Sequence, residues 1–157
     1  MTSSIDPNTN FRAPSFTCDY YDETEFSNAF NASARSKLKL LHINARSLPK
    51  NIDSIINCVN ALENTFSVMG ISETWLRDIE DPLVQIEKYS LEGFCRENKR
   101  GGGVASFTKH DIIYKTRQDI SVNNLDIESC YIELLNNNSK MVVVVVGKSP
   151  SVSFNVL

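Results

Sequence analysis

Two residues stand where a metal- or phosphate-binding site could form: Asn44, just after the apolar run KLKLLHI, and Glu73, just after VMGIS. A carboxylate that closes a buried strand opens onto a polar crevice, because inside the core it would need a partner or a metal to stay charged. An acid and an amide held close together could share a divalent cation or a phosphate. Mg²⁺ takes one or two carboxylates plus phosphate oxygens and water, so one glutamate in an open site is a usable part of such a centre. The alternative reading has Asn44 capping the helix that follows and Glu73 pairing with Arg46 or Arg77. A third group lies in RENKRGGG, where Arg96, Lys99 and Arg100 accompany three successive glycines whose backbone could approach a phosphate closely. A solvated hairpin end has the same composition.

The elements around these residues are readable. Residues 37–43 form a strand candidate that runs into Asn44, and Pro49 then suits a first helical turn. Ile52, Ile55, Ile56, Val59 and Leu62 recur at the offsets of one helical face, opposite Asp53, Asn57, Asn60 and Glu63. The strand VMGIS follows at once. Strand, amphipathic helix, strand with short links implies two parallel strands joined by a right-handed crossover. Their neighbouring ends lie about 4.8 Å apart, so Asn44 and Glu73 should face one crevice. Further strands are expected within residues 86–94 and at 104–108, 112–116 and 130–135. The run MVVVVV from Met141 should pair back on the last of these as a hairpin strand buried on both faces.

Composition bounds the rest. The chain has 157 residues, 41% hydrophobic and 22% charged, with a net charge of −3, which matches one ordinary globular domain and no global basic field. Residues 1–36 carry five acids and two bases, and residues 37–157 carry fourteen of each, so the acidity belongs to an N-terminal arm. That arm is expected to be irregular, apart from a short helix that could start at DETEF, with Asp22 as N-cap and Glu25 closing a capping box. Four cysteines without a CxxC pair read as scattered thiols, and the absence of a basic and apolar leader points to an intracellular protein, nuclear or cytoplasmic. No run is long enough to span a membrane. GKS at Gly147 is not a Walker loop, since Val142 stands where that loop needs glycine. His42 falls inside the first strand and His110 at a turn, and both read as structural.

Taken together, LHINARSL, GISETWL, the tract at Tyr89, RGGGVASF and VVVVVGKSPSVSF resemble the endonuclease domain of non-LTR retrotransposons, a branch of the exonuclease, endonuclease and phosphatase superfamily. The similarity covers about residues 18–157 in the same order. It implies a four-layered α/β sandwich that nicks target DNA by Mg²⁺-dependent phosphodiester hydrolysis. Glu73 matches the metal-binding glutamate of that family and Asn44 its active-site asparagine; Arg96, Lys99 and Arg100 are candidate nucleic-acid contacts by the charge of their turn, outside that match. The chain also departs from the pattern. Gly147, Lys148, Ser149 and Pro150 stand at the family's Tyr-Arg-Pro-Pro motif, and its later Asp-x-Asn and Asp-His motifs have no counterpart before Leu157. The expectation is a sandwich truncated after its first half and inactive, with the second sheet missing and one face of the first left bare. The alternative is a non-catalytic fragment that binds nucleic acid or protein.

Overall fold

The crossover that links the two candidate residues is built as their spacing requires. In a computed structural model, which describes residues 20–32, 38–62, 66–96, 101–124, 126–136 and 139–148, strand β1 (Leu40–Asn44) leads into helix α2 (Leu48–Ala61) and then strand β2 (Val68–Ser72). Pro49 sits in the first turn of α2, where a missing N–H costs nothing. Leu48, Ile52, Ile55 and Val59 turn inward, while Asp53, Asn57 and Asn60 are exposed. β1 and β2 pair in parallel, with Leu40 opposite Val68 and Asn44 opposite Ser72.

The described residues form a mixed α/β structure made mostly of strands. Helix α1 (Glu23–Ala32) precedes β1, and after β2 come β3 (Tyr89–Phe94), β4 (Val104–Lys109), β5 (Tyr114–Thr116), β6 (Ile127–Asn136) and β7 (Ser139–Lys148). One sheet has the order β1-β2-β4-β3 and is mixed; the other, β5-β6-β7, is antiparallel. Helix α2 covers one face of the first sheet in a core that includes Leu48, Ile52, Ile55, Phe66, Met69, Ile71 and Phe107. The second sheet packs on the opposite face, where Val68 and Val104 meet Cys130, Ile132, Leu134 and Val145. Among the described residues no helix is long and apolar enough to cross a membrane.

Two expectations change. The face of the first sheet that was expected to be bare is covered by β6 and β7, because residues 114–148 make a sheet of their own. The valine run is not buried on both faces: Val145 is 4% exposed, whereas Val142, Val144 and Val146 are 43%, 41% and 54% exposed. Side chains of β7 alternate between the two faces of the sheet, and Val143 and Val145 are the valines turned toward the first sheet. The short helix that could start at DETEF is present as α1, capped reciprocally by Asp22 and Glu25 as expected: the Glu25 N–H donates to Asp22 Oδ1 (2.8 Å) and the Asp22 N–H to Glu25 Oε2 (3.2 Å). Phe26 packs against the α2 side of the core, and Ser27 Oγ donates to the Leu62 carbonyl.

Candidate metal centre

Pairing between β1 and β2 does not stop where the strands stop. The Ala45 N–H donates to Ser72 O (2.9 Å), that of Ser47 to Glu73 O (2.9 Å) and that of Leu48 to Thr74 O (2.7 Å), so residues 45–48 run alongside residues 72–74. On the other flank the Thr74 N–H donates to Gly103 O (3.2 Å) and the Trp75 N–H to Gly102 O (2.9 Å). Three loops are thereby laced together at the carboxyl ends of the parallel pair, the position at which open α/β sheets place their sites.

The backbone there is strained. Arg46, Ser47, Glu73 and Trp75 have φ of 43°, 96°, 54° and 54°, and Gly101, Gly102 and Gly103 are also left-handed. Such conformations cost non-glycine residues on the order of 1–3 kcal/mol each and persist where the surroundings over-determine them. Here the inter-loop hydrogen bonds do so.

Glu73, half-buried, is fixed through one oxygen: Oε2 accepts from the Trp75 indole Nε1 (2.9 Å) and from the Gly102 N–H (3.1 Å). Oε1 is the remaining oxygen of the carboxylate. Asn44 is exposed, and its Oδ1 accepts from the Arg46 N–H at 3.3 Å. It does not cap α2, whose N-cap is Ser47 without a side-chain bond. The partners of Glu73 described above are an indole and an amide N–H instead of Arg46 or Arg77. Asn51 on α2 steadies the first loop by donating from Nδ2 to Ala45 O (2.8 Å). The oxygen donors on offer, a carboxylate and an amide at an open strand end, suit a hard cation such as Mg²⁺. Among the described residues, no three His, Cys, Asp or Glu side chains gather into a metal cluster.

Arg96 is engaged elsewhere than the sequence suggests. Its Nε pairs with Oε1 of Glu128 on β6, and the two side chains are 15% and 2% exposed. Glu128 Oε2 also accepts from the Gly103 N–H (2.7 Å). Two N–H groups of the glycine turn thus bind carboxylates of this chain. Lys99 and Arg100 lie outside the described residues. His42 is exposed on β1, and exposed His110, at the turn after β4, donates its N–H to Lys88 O. Burial pushes the Cys95 thiol up from its ordinary value, with Asp78 adding to the effect.

Glu128 is the residue that sequence reading missed. The signal was parity: Glu128 shares the even positions of β6 with Cys130, Ile132 and Leu134, the face that points into the sandwich. An acid on that face must find a cation or N–H donors.

Comparison of the chain with protein-family models and with curated proteins finds no match in either set.

Proposed function

We propose that residues 37–148 form the metal-binding part of an Mg²⁺-dependent DNA endonuclease domain of the non-LTR retrotransposon type, folded as a portion of that superfamily's four-layered α/β sandwich. What supports this reading most is Glu73, left-handed and clamped by Trp75 and Gly102, beside Asn44 at the ends of two parallel strands. Glu73 would hold the cation and Asn44 would orient the phosphodiester. Bound there, Mg²⁺ supplies charge stabilisation for phosphoryl chemistry. Arg96 neutralises Glu128, and contact with the DNA backbone is assigned to Lys99 and Arg100.

The polypeptide is proposed to bind without turning over. Gly147 and Lys148 occupy the position of the family's phosphate-holding motif, and Gly147 packs so closely that a Cβ on it would stand 2.9 Å from Val104 Cγ1 and 3.3 Å from Glu128 Oε2. No larger side chain fits there without rearrangement.

Trp75, the single tryptophan of the chain, makes the test direct. Mn²⁺ should quench its fluorescence saturably in the wild type and not in Glu73→Gln. Absence of a saturable response in the wild type would overturn the metal-binding reading. Mg²⁺-dependent nicking of supercoiled plasmid, lost in Glu73→Ala, would keep the site and overturn the claim that it does not turn over.

A second reading, protein binding without metal, is favoured by the outward valines of β7. On this reading the wild type shows no saturable Mn²⁺ response, and polar substitution of Val142, Val144 and Val146 together abolishes protein binding.

A further inference from the structure

We infer that Glu128 is a positioning residue for the Glu73 centre, acting from the second sheet through the glycine turn; the inference rests on the metal-binding reading above. Glu128 is 1% exposed and sits at the start of β6, on the face that packs against the first sheet. A carboxylate buried so deeply is tolerated only when its charge is matched and its oxygens are hydrogen-bonded. Both conditions hold, since Oε1 pairs with Arg96 and Oε2 accepts the Gly103 N–H. Gly147, opposite Glu128 in the β6–β7 ladder, leaves room for the carboxylate by having no side chain.

The contacts of Glu128 lead to the site in one step. The residue that precedes Gly103 is Gly102, whose N–H donates to Glu73 Oε2 and whose carbonyl, in the same peptide unit as the Gly103 N–H, accepts from the Trp75 N–H. The carbonyl of Gly103 accepts from the Thr74 N–H. Holding Gly103 therefore holds both the N–H that meets the Glu73 carboxylate and the backbone that follows Glu73. Gly101, Gly102 and Gly103 have φ of 92°, 76° and 84°, and glycines retain wide freedom unless something fixes them. Glu128 fixes this run from inside at its end, and Arg96 holds Glu128 in place. With that anchor weakened, the Gly102 N–H leaves Glu73, and the carboxylate loses one of the two donors that aim it. Groups that orient ligands in this way typically change metal affinity by about 10- to 100-fold when altered.

The experiment is a Mn²⁺ titration read by Trp75 fluorescence on the full chain, in wild type, Glu128→Gln and Glu128→Asp, with far-UV circular dichroism and thermal melts alongside. Glu128→Gln keeps the shape and removes the charge; Glu128→Asp keeps the charge and withdraws it from Gly103. The expected result is a fall in Mn²⁺ affinity of about tenfold or more in each folded variant. A lower melting temperature with unchanged affinity would show a structural role only and overturn the inference, leaving the Glu73 reading intact. No saturable response in the wild type would overturn both. If neither variant folds, amide hydrogen exchange of the wild type decides: slow exchange at Gly102 and Gly103 relative to Gly101 is the expected result, and equal rates overturn it.

Discussion

Gly70 of β2 lies directly against Val145 of β7: a Cβ on the glycine would stand 2.8 Å from Val145 Cγ2. This contact sets how closely the two sheets approach. Gly70→Ala is expected to destabilise the protein by about 1–3 kcal/mol through overpacking. Because one side chain supplies the clash, Gly70→Ala should cost less when made in a Val145→Ala background. Urea denaturation of the two single variants and the double variant measures the coupling, and additive effects would show that the sheets do not meet there.

The two faces of β7 should respond in opposite ways. Val145→Ala removes packing from between the sheets and is expected to cost about 1–3 kcal/mol, whereas Val144→Thr points outward and should stay within about 0.5 kcal/mol. Val144→Thr should also slow self-association, since exposed apolar edge strands pair with one another. Chemical denaturation and light scattering check both expectations.

Much of the first sheet was legible in the residues. Ile52, Ile55, Val59 and Leu62 mark the buried face of α2 by period alone, and the short links on either side leave little choice but a parallel crossover, which brings Asn44 and Glu73 to neighbouring strand ends. What was not legible depends on partners distant in sequence. Five consecutive valines carry no alternation of their own, and only the packing of Val143 and Val145 against the first sheet decides that Val142, Val144 and Val146 face outward. The N–H groups of RGGG suit a phosphate or a carboxylate equally, and Glu73 and Glu128, 29 and 25 residues away from Gly102 and Gly103, take them. Arg96 looked like a contact for nucleic acid because its ion-pair partner lies 32 residues further on.

The capping box of α1 should matter locally more than globally. Asp22→Ala removes the acceptor for the Glu25 N–H and is expected to cost the helix about 1 kcal/mol. α1 joins the rest through Phe26 and Ser27, so its loss should leave the two sheets intact. Hydrogen exchange should show faster amides in residues 23–32 and unchanged amides in β2 and β4. A global loss of protection would mean that α1 is integral to the core.

The thiol of Cys130 gives the sandwich a pH dependence whose sign follows from burial. Desolvation between the sheets, with the charge of Glu92 adding to it, pushes this thiol from 9.0 up to about 12. Below pH 9 both folded and unfolded chains keep the proton, so the contribution to stability is fully present. Between pH 9 and 12 the unfolded thiol loses its proton while the folded one holds it, and stability falls as pH rises through that window. Tyr114 and Tyr89, both raised chiefly by burial, act in the same direction from about pH 10 upward. The urea midpoint should therefore decline across this range, and less steeply in Cys130→Ala, which removes the thiol but leaves both tyrosines. Alkylation at pH 8 supplies an independent check: exposed Cys58 should react with iodoacetamide in the native protein, whereas Cys130, 4% exposed and protonated, should react only at the rate of unfolding. Equal modification of Cys58 and Cys130 under native conditions would mean that the second sheet does not stay closed on the first.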